Sequence, residues 1–279
     1  MLIKGVLLTL LSAITLSAHA DSRLLGTSGV TGLEGGAGGG LTPWAVISGY
    51  SDDSEVSAGA FYTETDVQDF RLDVKGVSLS YDNRVELSAA LQSFEIKGVA
   101  GDIRQEIYGL KYRISGDLVY TTMPQISAGL QYKRLLDSGV ADAVGATESG
   151  TGTDIYISAT SLELGALAGY HVLWNATLRA TKANQMGLLG YGGDDADGYQ
   201  LMPEFSALVL VRDDLALGME YRKKPDNLSA FKEDSFRDVF IAWFPSKKVN
   251  LTLAYAQLGS IAGSDDQDGL YFSVSSWFK

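Results

Sequence analysis

Histidine-based catalysis has one candidate in the body of the chain, because His171 is the only histidine after residue 20. A serine partner would need the G-x-S-x-G turn that presents a nucleophilic hydroxyl. The nearest match, GTSGV, has Val30 in place of the last glycine. His171 also comes directly after a short connection, Gly165–Tyr170. We therefore expect a polar residue at the end of a strand and no catalytic residue.

The acidic stretch around residue 195 has part of the spacing of a calcium-binding loop. With Gly198 at the sixth position of a twelve-residue loop, Asp195, Asp197 and Glu204 take the third, fifth and twelfth positions. Gly193 stands at the first position, where a main carboxylate ligand is required. We expect a solvated loop that holds divalent ions loosely, with no dedicated metal site and no cofactor.

Residues 32–44, GLEGGAGGGLTPW, contain a dense glycine run of the kind that also occurs in phosphate-binding loops. A dinucleotide fingerprint that begins at Gly36 has its second glycine at Gly38, but Leu41 stands where the third is needed. No Lys-Ser or Lys-Thr pair follows, and Pro43 occupies the place where a helix would begin. The run is therefore predicted to be a connection and not a nucleotide site.

The composition limits the location and the partners of the protein. The first twenty residues combine Lys4, an apolar stretch and an Ala-x-Ala ending, which predicts a signal peptide cleaved before Asp21. The absence of cysteine excludes disulfides and a lipid-anchor cysteine. A net charge of −12 argues against nucleic acid as a partner. After the signal peptide no uninterrupted apolar run reaches about 18 residues, so spanning helices are not expected.

A period of two dominates the remaining sequence. From Val85 and again from Ile126, apolar residues alternate with polar or small ones, as in strands with one buried face. Segments of this kind are predicted with centres near residues 46, 59, 74, 89, 109, 129, 158, 177, 206, 219, 240, 253 and 274.

The connections alternate between short turns such as Asp82-Asn83 and longer loops such as Gln185–Gly198. Tight turns at one end and long loops at the other are typical of outer-membrane barrels. A soluble β-sandwich shares the residue alternation but gives no reason for the alternating connections. We predict an all-β fold, a transmembrane antiparallel up-and-down β-barrel, formed by residues 21–279 as one domain.

The number of strands depends on where the N-terminal residues lie. Bacterial barrels of this class have an even strand number and both termini on the periplasmic side. The segment centred at residue 46 would then need a partner, which residues 24–33 can supply, with the glycine run as the first outer loop. This interpretation predicts fourteen strands. The alternative places residues 21–40 inside the barrel as a plug and leaves twelve strands.

Charged residues in the middle of the predicted strands should point into the barrel. An Arg or Lys on the lipid face costs about 2–4 kcal/mol at the bilayer midplane. These residues form either a ladder of ion pairs that holds the wall or a selectivity surface for a charged solute. The predicted lumen-lining residues are Lys133, Arg179, Glu204, Glu220, Arg222 and Asp238.

Three stretches of the sequence carry a family resemblance: LLGTSGVTGLEGGAGGGLTPWAVISGY, LRATKANQMGLLGYGG, and EYRKKPDNLSAFKEDSFRDVFIAWFPSKKVNLTLAYAQLGSIAG. They resemble an uncharacterised family of Gram-negative proteins, domain of unknown function 3034, and the resemblance covers nearly the whole mature chain. It implies a secreted outer-membrane protein, without a substrate or catalytic residues to transfer.

Three functions are compatible with the sequence. The first is a monomeric porin-like channel that passes small solutes through the Gram-negative outer membrane and is not an enzyme. The second is an outer-membrane enzyme acting on lipid or lipopolysaccharide, in which replacing His171 abolishes activity. The third is a closed structural or adhesive barrel. All three imply contact with outer-membrane lipid and lipopolysaccharide, and with the barrel-assembly machinery.

Overall fold

The computed structural model describes residues 23–52 and 54–279. The predicted signal peptide and its cleavage site lie outside the described residues. Two short strands, β1 (Val30–Thr31) and β2 (Ala37–Gly38), are followed by twelve long ones. These are β3 (Val56–Val67), β4 (Phe70–Tyr81), β5 (Val85–Ile96), β6 (Asp102–Ser115), β7 (Gln125–Leu135), β8 (Thr151–Leu167), β9 (Tyr170–Thr181), β10 (Gln200–Arg212), β11 (Leu215–Arg222), β12 (Phe236–Ser246), β13 (Val249–Gln257) and β14 (Asp268–Phe278).

The twelve long strands close into one antiparallel barrel. Each pairs with the next along the chain, and β14 pairs with β3 to complete the ring. The connections at one end, here called the turn end, are residues 82–84, 116–124, 168–169, 213–214 and 247–248. The connections at the other end, the loop end, are residues 68–69, 97–101, 136–150, 182–199, 223–235 and 258–267.

The prediction of fourteen strands is wrong, and the twelve-strand alternative with an N-terminal plug is right in its strand number. Twelve of the thirteen predicted centres fall within the barrel strands, but residue 46 does not. Residues 44–47 are apolar at every position and buried at every position, so they lack the exposed face of a wall strand. Residues 27–33 and the glycine run are also inside the barrel, whereas Leu24 is exposed at the turn end, and none of these residues forms a wall strand or an outer loop.

The two faces of the wall differ as the alternation predicts. Inward side chains are buried, whereas outward ones are exposed and largely apolar through the middle of the strands. Such a band is the surface that a lipid-facing barrel requires. Its exposed members include Leu79, Leu87, Leu110, Leu130, Ile157, Leu178, Phe205, Leu217, Ile241, Leu253 and Leu270.

Residues 23–52, the N-terminal segment, fill the barrel as a small folded unit. From Thr27 to Ser51 every residue is buried except the half-buried Gly36. Strands β1 and β2 pair as a hairpin, and the Arg23 guanidinium donates to the Gly49 carbonyl at 3.0 Å. The segment therefore has internal hydrogen bonds in addition to its contacts with the wall.

A second element enters the barrel from the loop end. Residues 182–199, the inner loop, include a 3₁₀ turn at Asn184–Gly187 and place Leu188 and Leu189 in buried positions. Neighbouring loop 136–150 carries a five-residue helix, α1 (Gly139–Ala143). No helix in the described part of the chain is long and apolar enough to cross a membrane.

Candidate functional site

The six residues expected to line the lumen all lie on the inner face of the wall. None has more than 5% of its surface exposed. Water therefore scarcely reaches them. In this state they lie against other protein groups and do not line an open lumen. They are Lys133 on β7, Arg179 on β9, Glu204 on β10, Glu220 and Arg222 on β11, and Asp238 on β12.

Arg179 is the centre of a charge cluster on the inner face of the wall, nearer the loop end than the turn end. Its Nε donates to Glu204 Oε1 at 2.5 Å, and its Nη1 donates to Gln131 Oε1 at 2.6 Å and to Asp154 Oδ2 at 3.2 Å. Its guanidinium carbon also lies 5.5 Å from the centre of the Tyr156 ring. A buried guanidinium needs this many acceptors, because each unsatisfied N–H would cost free energy.

The N-terminal segment supplies one member of the charge cluster, Glu34. Its carboxylate contacts the Lys133 ammonium, lies 3.1 Å from Arg179 Nη2 and accepts a hydrogen bond from Arg222 Nη1 at 2.8 Å. Lys133 also donates to Asp154 Oδ2 at 2.6 Å. The charge cluster, defined as these residues with Glu204, balances three carboxylates against three cations.

Glu220 binds the N-terminal segment through hydrogen bonds and not through an ion pair. Its oxygens accept the Leu41 N–H, the Thr42 hydroxyl and the Ser206 hydroxyl, each at 2.7 Å. The glycine run permits this approach, because a Cβ added to Gly39 would lie 1.9 Å from Glu220 Oε1. The glycines thus serve close contact between the segment and the wall.

Asp238 differs from the other five residues in having no hydrogen-bond partner for either oxygen among the described residues. It lies directly across from Glu220 in the β11–β12 pairing, so two carboxylates share one part of the inner face. The ion-pair ladder that the sequence suggested therefore includes four of the six residues and leaves Glu220 and Asp238 outside it.

Sequence reasoning missed a second polar contact between wall and segment. Lys111 on β6 donates to the carbonyls of Ala37 at 2.6 Å and Val46 at 3.0 Å. Glu86 on β5 accepts the Ala37 N–H at 3.0 Å and the Ser48 N–H at 2.8 Å. Both lie on the polar face of an alternating strand, so the same pattern that found Lys133 could have found them.

The loop end holds a buried ion pair outside the strands. Lys224 Nζ lies 2.6 Å from Glu233 Oε2 and donates to Gln185 Oε1 of the inner loop at 2.9 Å. Burial lowers the pKa of the Lys224 ammonium and raises the pKa of the Glu233 carboxyl. The pair ties loop 223–235 to the inner loop.

Cavities are found at both ends of the N-terminal segment. A cavity of about 680 Å³ at the turn end is lined by Arg23, Arg84, Arg113 and Asp117 among others. An apolar pocket at the loop end, with about 30 Å³ of free space, is lined by Leu33 of the N-terminal segment and by wall and loop residues. Those residues include Phe70, Phe94, Met186, Leu188, Phe236 and Leu258.

The remaining candidates from the sequence, His171 and the calcium-like spacing, have structural contacts. His171 Nδ1 accepts the Gly165 N–H at 3.0 Å beside the turn at 168–169. Glu204, the twelfth position of the calcium-like spacing, is engaged by Arg179. Within the described residues, no three His, Cys, Asp or Glu side chains are arranged to hold a metal ion.

A family model described as "Protein of unknown function (DUF3034)" matches residues 27–275. The chain belongs to this family. The match begins within the N-terminal segment and ends in β14, so the DUF3034 region includes both the segment and the wall. A comparison with curated proteins found no match.

Several solved structures are similar to this DUF3034 protein at low sequence identity. The KdgM porin has a TM-score of 0.51 and 11% identity over 79% of this chain and 99% of that chain. The COG4313 outer membrane channel from Pseudomonas putida F1 has a TM-score of 0.47 and 11% identity, covering 82% and 96%. Outer membrane phospholipase A from Escherichia coli has 0.40 and 10% identity, covering 82% and 94%. The first of these likenesses identifies the fold as a porin-like barrel.

Proposed function

We propose that this protein is a porin-like channel of the Gram-negative outer membrane, closed in the described state by its N-terminal segment. The loop end faces the cell exterior and the turn end faces the periplasm, as in other bacterial barrels. Small solutes pass when the segment shifts away from the wall. The barrel lies in outer-membrane lipid as a monomer.

The observation that carries this proposal is how the N-terminal segment is attached. In the part of the chain that the structure describes, no backbone-to-backbone hydrogen bond joins it to a wall strand, and such bonds run within the segment, as between Gly32 and Gly36, between Leu33 and Gly40, and between Ala37 and Trp44. Among the described residues its hydrogen bonds to the wall all involve a side chain, for example Thr177 Oγ1 to the Pro43 carbonyl at 2.7 Å. A unit of this kind can move without breaking a β-ladder, and water can replace its polar contacts.

The KdgM porin has a similar fold, and a barrel of this form serves as a porin in that protein. This similarity supports a channel function for the present barrel. Eight-stranded barrels are filled by their own side chains, whereas 16-stranded porins leave an aqueous channel. A barrel of twelve strands lies between these limits. Its interior accommodates a folded segment of about thirty residues, and vacating that space would open a path for small solutes.

The test is the ion current through the folded full-length protein in a planar bilayer, with a salt gradient to measure the reversal potential. Arg222→Ala removes two contacts to the segment, those to Glu34 Oε2 and to the Leu41 carbonyl. We expect rare openings in the wild type, at least tenfold more frequent openings in the variant, and a shifted reversal potential.

Arg134→Ala is the matched control, because Arg134 lies on the outer face of β7 and pairs with Glu106 at 2.6 Å. We expect it to conduct like the wild type. If all three proteins are silent although each resists unfolding in SDS until heated, the barrel is a closed structural one and the channel is rejected.

A further inference from the structure

Glu34 is held like a bound ligand. Three cations from three different strands converge on its carboxylate: Lys133 from β7, Arg179 from β9 and Arg222 from β11. The carboxylate itself belongs to the N-terminal segment, and each hydrogen bond between the described part of that segment and the wall involves a side chain. Paired guanidinium groups with a nearby ammonium form a geometry that suits a carboxylate in general, whichever molecule carries it.

The wall alone does not balance these charges. Without Glu34, the three cations face two carboxylates, Asp154 and Glu204. Arg222 would keep only a 3.7 Å contact to Glu204 within the charge cluster. A buried cation without a partner is costly, so a shift of the segment favours entry of another anion into the vacated position.

The residue before Glu34 lies against a different surface. Leu33 is 2% exposed and lines the apolar pocket at the loop end. The rings of Phe70 and Phe94 in that pocket stack with their centres 5.1 Å apart. Adjacent residues of the segment therefore place an apolar group in an apolar pocket and a carboxylate between three cations.

We propose that Leu33 and Glu34 occupy the binding site of a small organic acid, a carboxylate with an apolar aliphatic or aromatic body. This solute competes with the N-terminal segment for the three cations and for the apolar pocket. Its binding favours the displaced state of the segment, so the solute opens its own path. The inference rests on the proposed channel function and adds the class of solute to it.

Calorimetric titration of the folded full-length protein in detergent micelles tests the site. Glu34→Ala vacates the carboxylate position, and Glu34→Gln removes the charge but keeps the side-chain volume. The probes are benzoate, acetate and benzyl alcohol at equal ionic strength. We expect Glu34→Ala to bind benzoate at least tenfold more tightly than it binds acetate. Benzyl alcohol, which lacks the carboxylate, should bind to Glu34→Ala no more tightly than to Glu34→Gln.

Glu34→Gln gives the baseline for partition of the probes into the micelle. The inference is overturned if Glu34→Ala migrates as a folded barrel and binds benzoate no better than this baseline. If Glu34→Ala does not fold, hydrogen exchange on the wild type decides. Benzoate should speed exchange of the Leu33–Gly38 amides relative to acetate, and unchanged exchange overturns the inference.

The two proposals fail separately. A current in Arg222→Ala together with no benzoate binding rejects the solute class and leaves the channel in place. Benzoate binding to Glu34→Ala in a barrel that never conducts rejects transport, and with it the role of this site in opening a path.

Discussion

The barrel is filled by two elements that are attached in opposite ways. The inner loop is joined to neighbouring loops through its backbone: Tyr191 and Glu148 exchange two hydrogen bonds, at 2.8 and 3.0 Å. Asn227 accepts the N–H of Asp195 at 3.1 Å and that of Ala196 at 3.3 Å. The N-terminal segment, within the described residues, has no backbone-to-backbone hydrogen bond to a wall strand, and each of its hydrogen bonds to the wall involves a side chain.

This difference separates the fixed part of the filling from the movable part. Moving the inner loop would break backbone hydrogen bonds and expose Leu188 and Leu189, each 2% exposed. Moving the N-terminal segment also exposes apolar groups, including Leu33 and Trp44. It leaves the β1–β2 hairpin intact, however, and frees polar wall groups that water can hydrate. The segment is therefore the element expected to open the barrel.

The largest effect is expected for Arg179→Met, which leaves three carboxylates of the charge cluster facing two cations. Removing one partner of a buried ion cluster costs about 3–5 kcal/mol. The measurement is unfolding in urea, with hydrogen exchange by region. Exchange should rise in residues 23–52 and stay unchanged in 182–199. An equal rise of hydrogen exchange in both regions would contradict the distinction between a fixed inner loop and a movable N-terminal segment. Arg179→Lys keeps the charge, so its free energy of unfolding should lie between those of the wild type and Arg179→Met.

Leu189→Ala should act on the inner loop, because Leu189 is 2% exposed and, unlike Leu188, does not line the apolar pocket that holds Leu33. Truncating a buried leucine costs about 2–5 kcal/mol, and we expect the lower part of this range because a loop can collapse onto the gap. Exchange of residues 182–193 should rise while the bilayer current stays like that of the wild type. Leu201→Ala, on the exposed outer face of β10, is the control. An increased current in Leu189→Ala would show that the inner loop also gates the barrel.

Two glycines of the N-terminal segment provide a matched pair of smaller changes. A Cβ on Gly38 would lie 2.2 Å from the Thr42 carbonyl oxygen, whereas one on Gly36 would lie 3.5 Å from Glu86 Oε1. Gly38→Ala should therefore destabilise the hairpin by about 1–3 kcal/mol, and Gly36→Ala should leave it unchanged. Thermal unfolding and exchange of residues 29–45 measure both. Equal effects would show that the segment is not closely fitted to itself.

The smallest effect concerns pH and the inner loop. Asp194 accepts the Ser229 N–H at 2.9 Å and contacts the Ser229 hydroxyl, and these hydrogen bonds lower the pKa of Asp194. A lowered folded-state pKa gives stability that is present above the unfolded value, about 3.9, and is lost as pH falls through the folded value. Corrected for its intrinsic pH dependence, exchange of residues 192–197 should be constant from about pH 5 to 8 and rise below about 3.9. A rise near neutral pH would contradict this.

The wall could be predicted from the sequence because alternation is a local property. Residues 85–92 and 126–133 show it directly, and the same parity places Lys133 and Arg179 on the inner face. Lys111 and Glu86 obey the same rule, so their inward position could be predicted from the sequence although their contacts could not.

The filling of the barrel could not be predicted in the same way. An apolar run such as residues 43–47 has the composition of a buried strand whether it belongs to the barrel wall or lies in the barrel interior. Glu34 meets Lys133 at a separation of 99 residues and Arg222 at 188, and no local pattern encodes such contacts. The even-strand rule was satisfied by twelve as well as fourteen, so it could not exclude the plug.

The central claim, that the N-terminal segment closes a channel, is tested most directly by a reversible cross-link. The chain has no cysteine, and Thr31 Oγ1 of the segment lies 2.8 Å from Ser275 Oγ of β14. Thr31→Cys with Ser275→Cys would tether the segment. Thr63→Cys with Ser273→Cys, whose hydroxyls lie 2.9 Å apart within the wall, is the control.

The currents of both double variants are recorded in a planar bilayer, oxidised and then reduced, with cross-linking confirmed by mass spectrometry. We expect the variant with the oxidised Thr31–Ser275 pair to be silent and reduction to restore its openings, while the variant with the wall pair conducts in both states. Identical currents from the cross-linked and the reduced segment would contradict it.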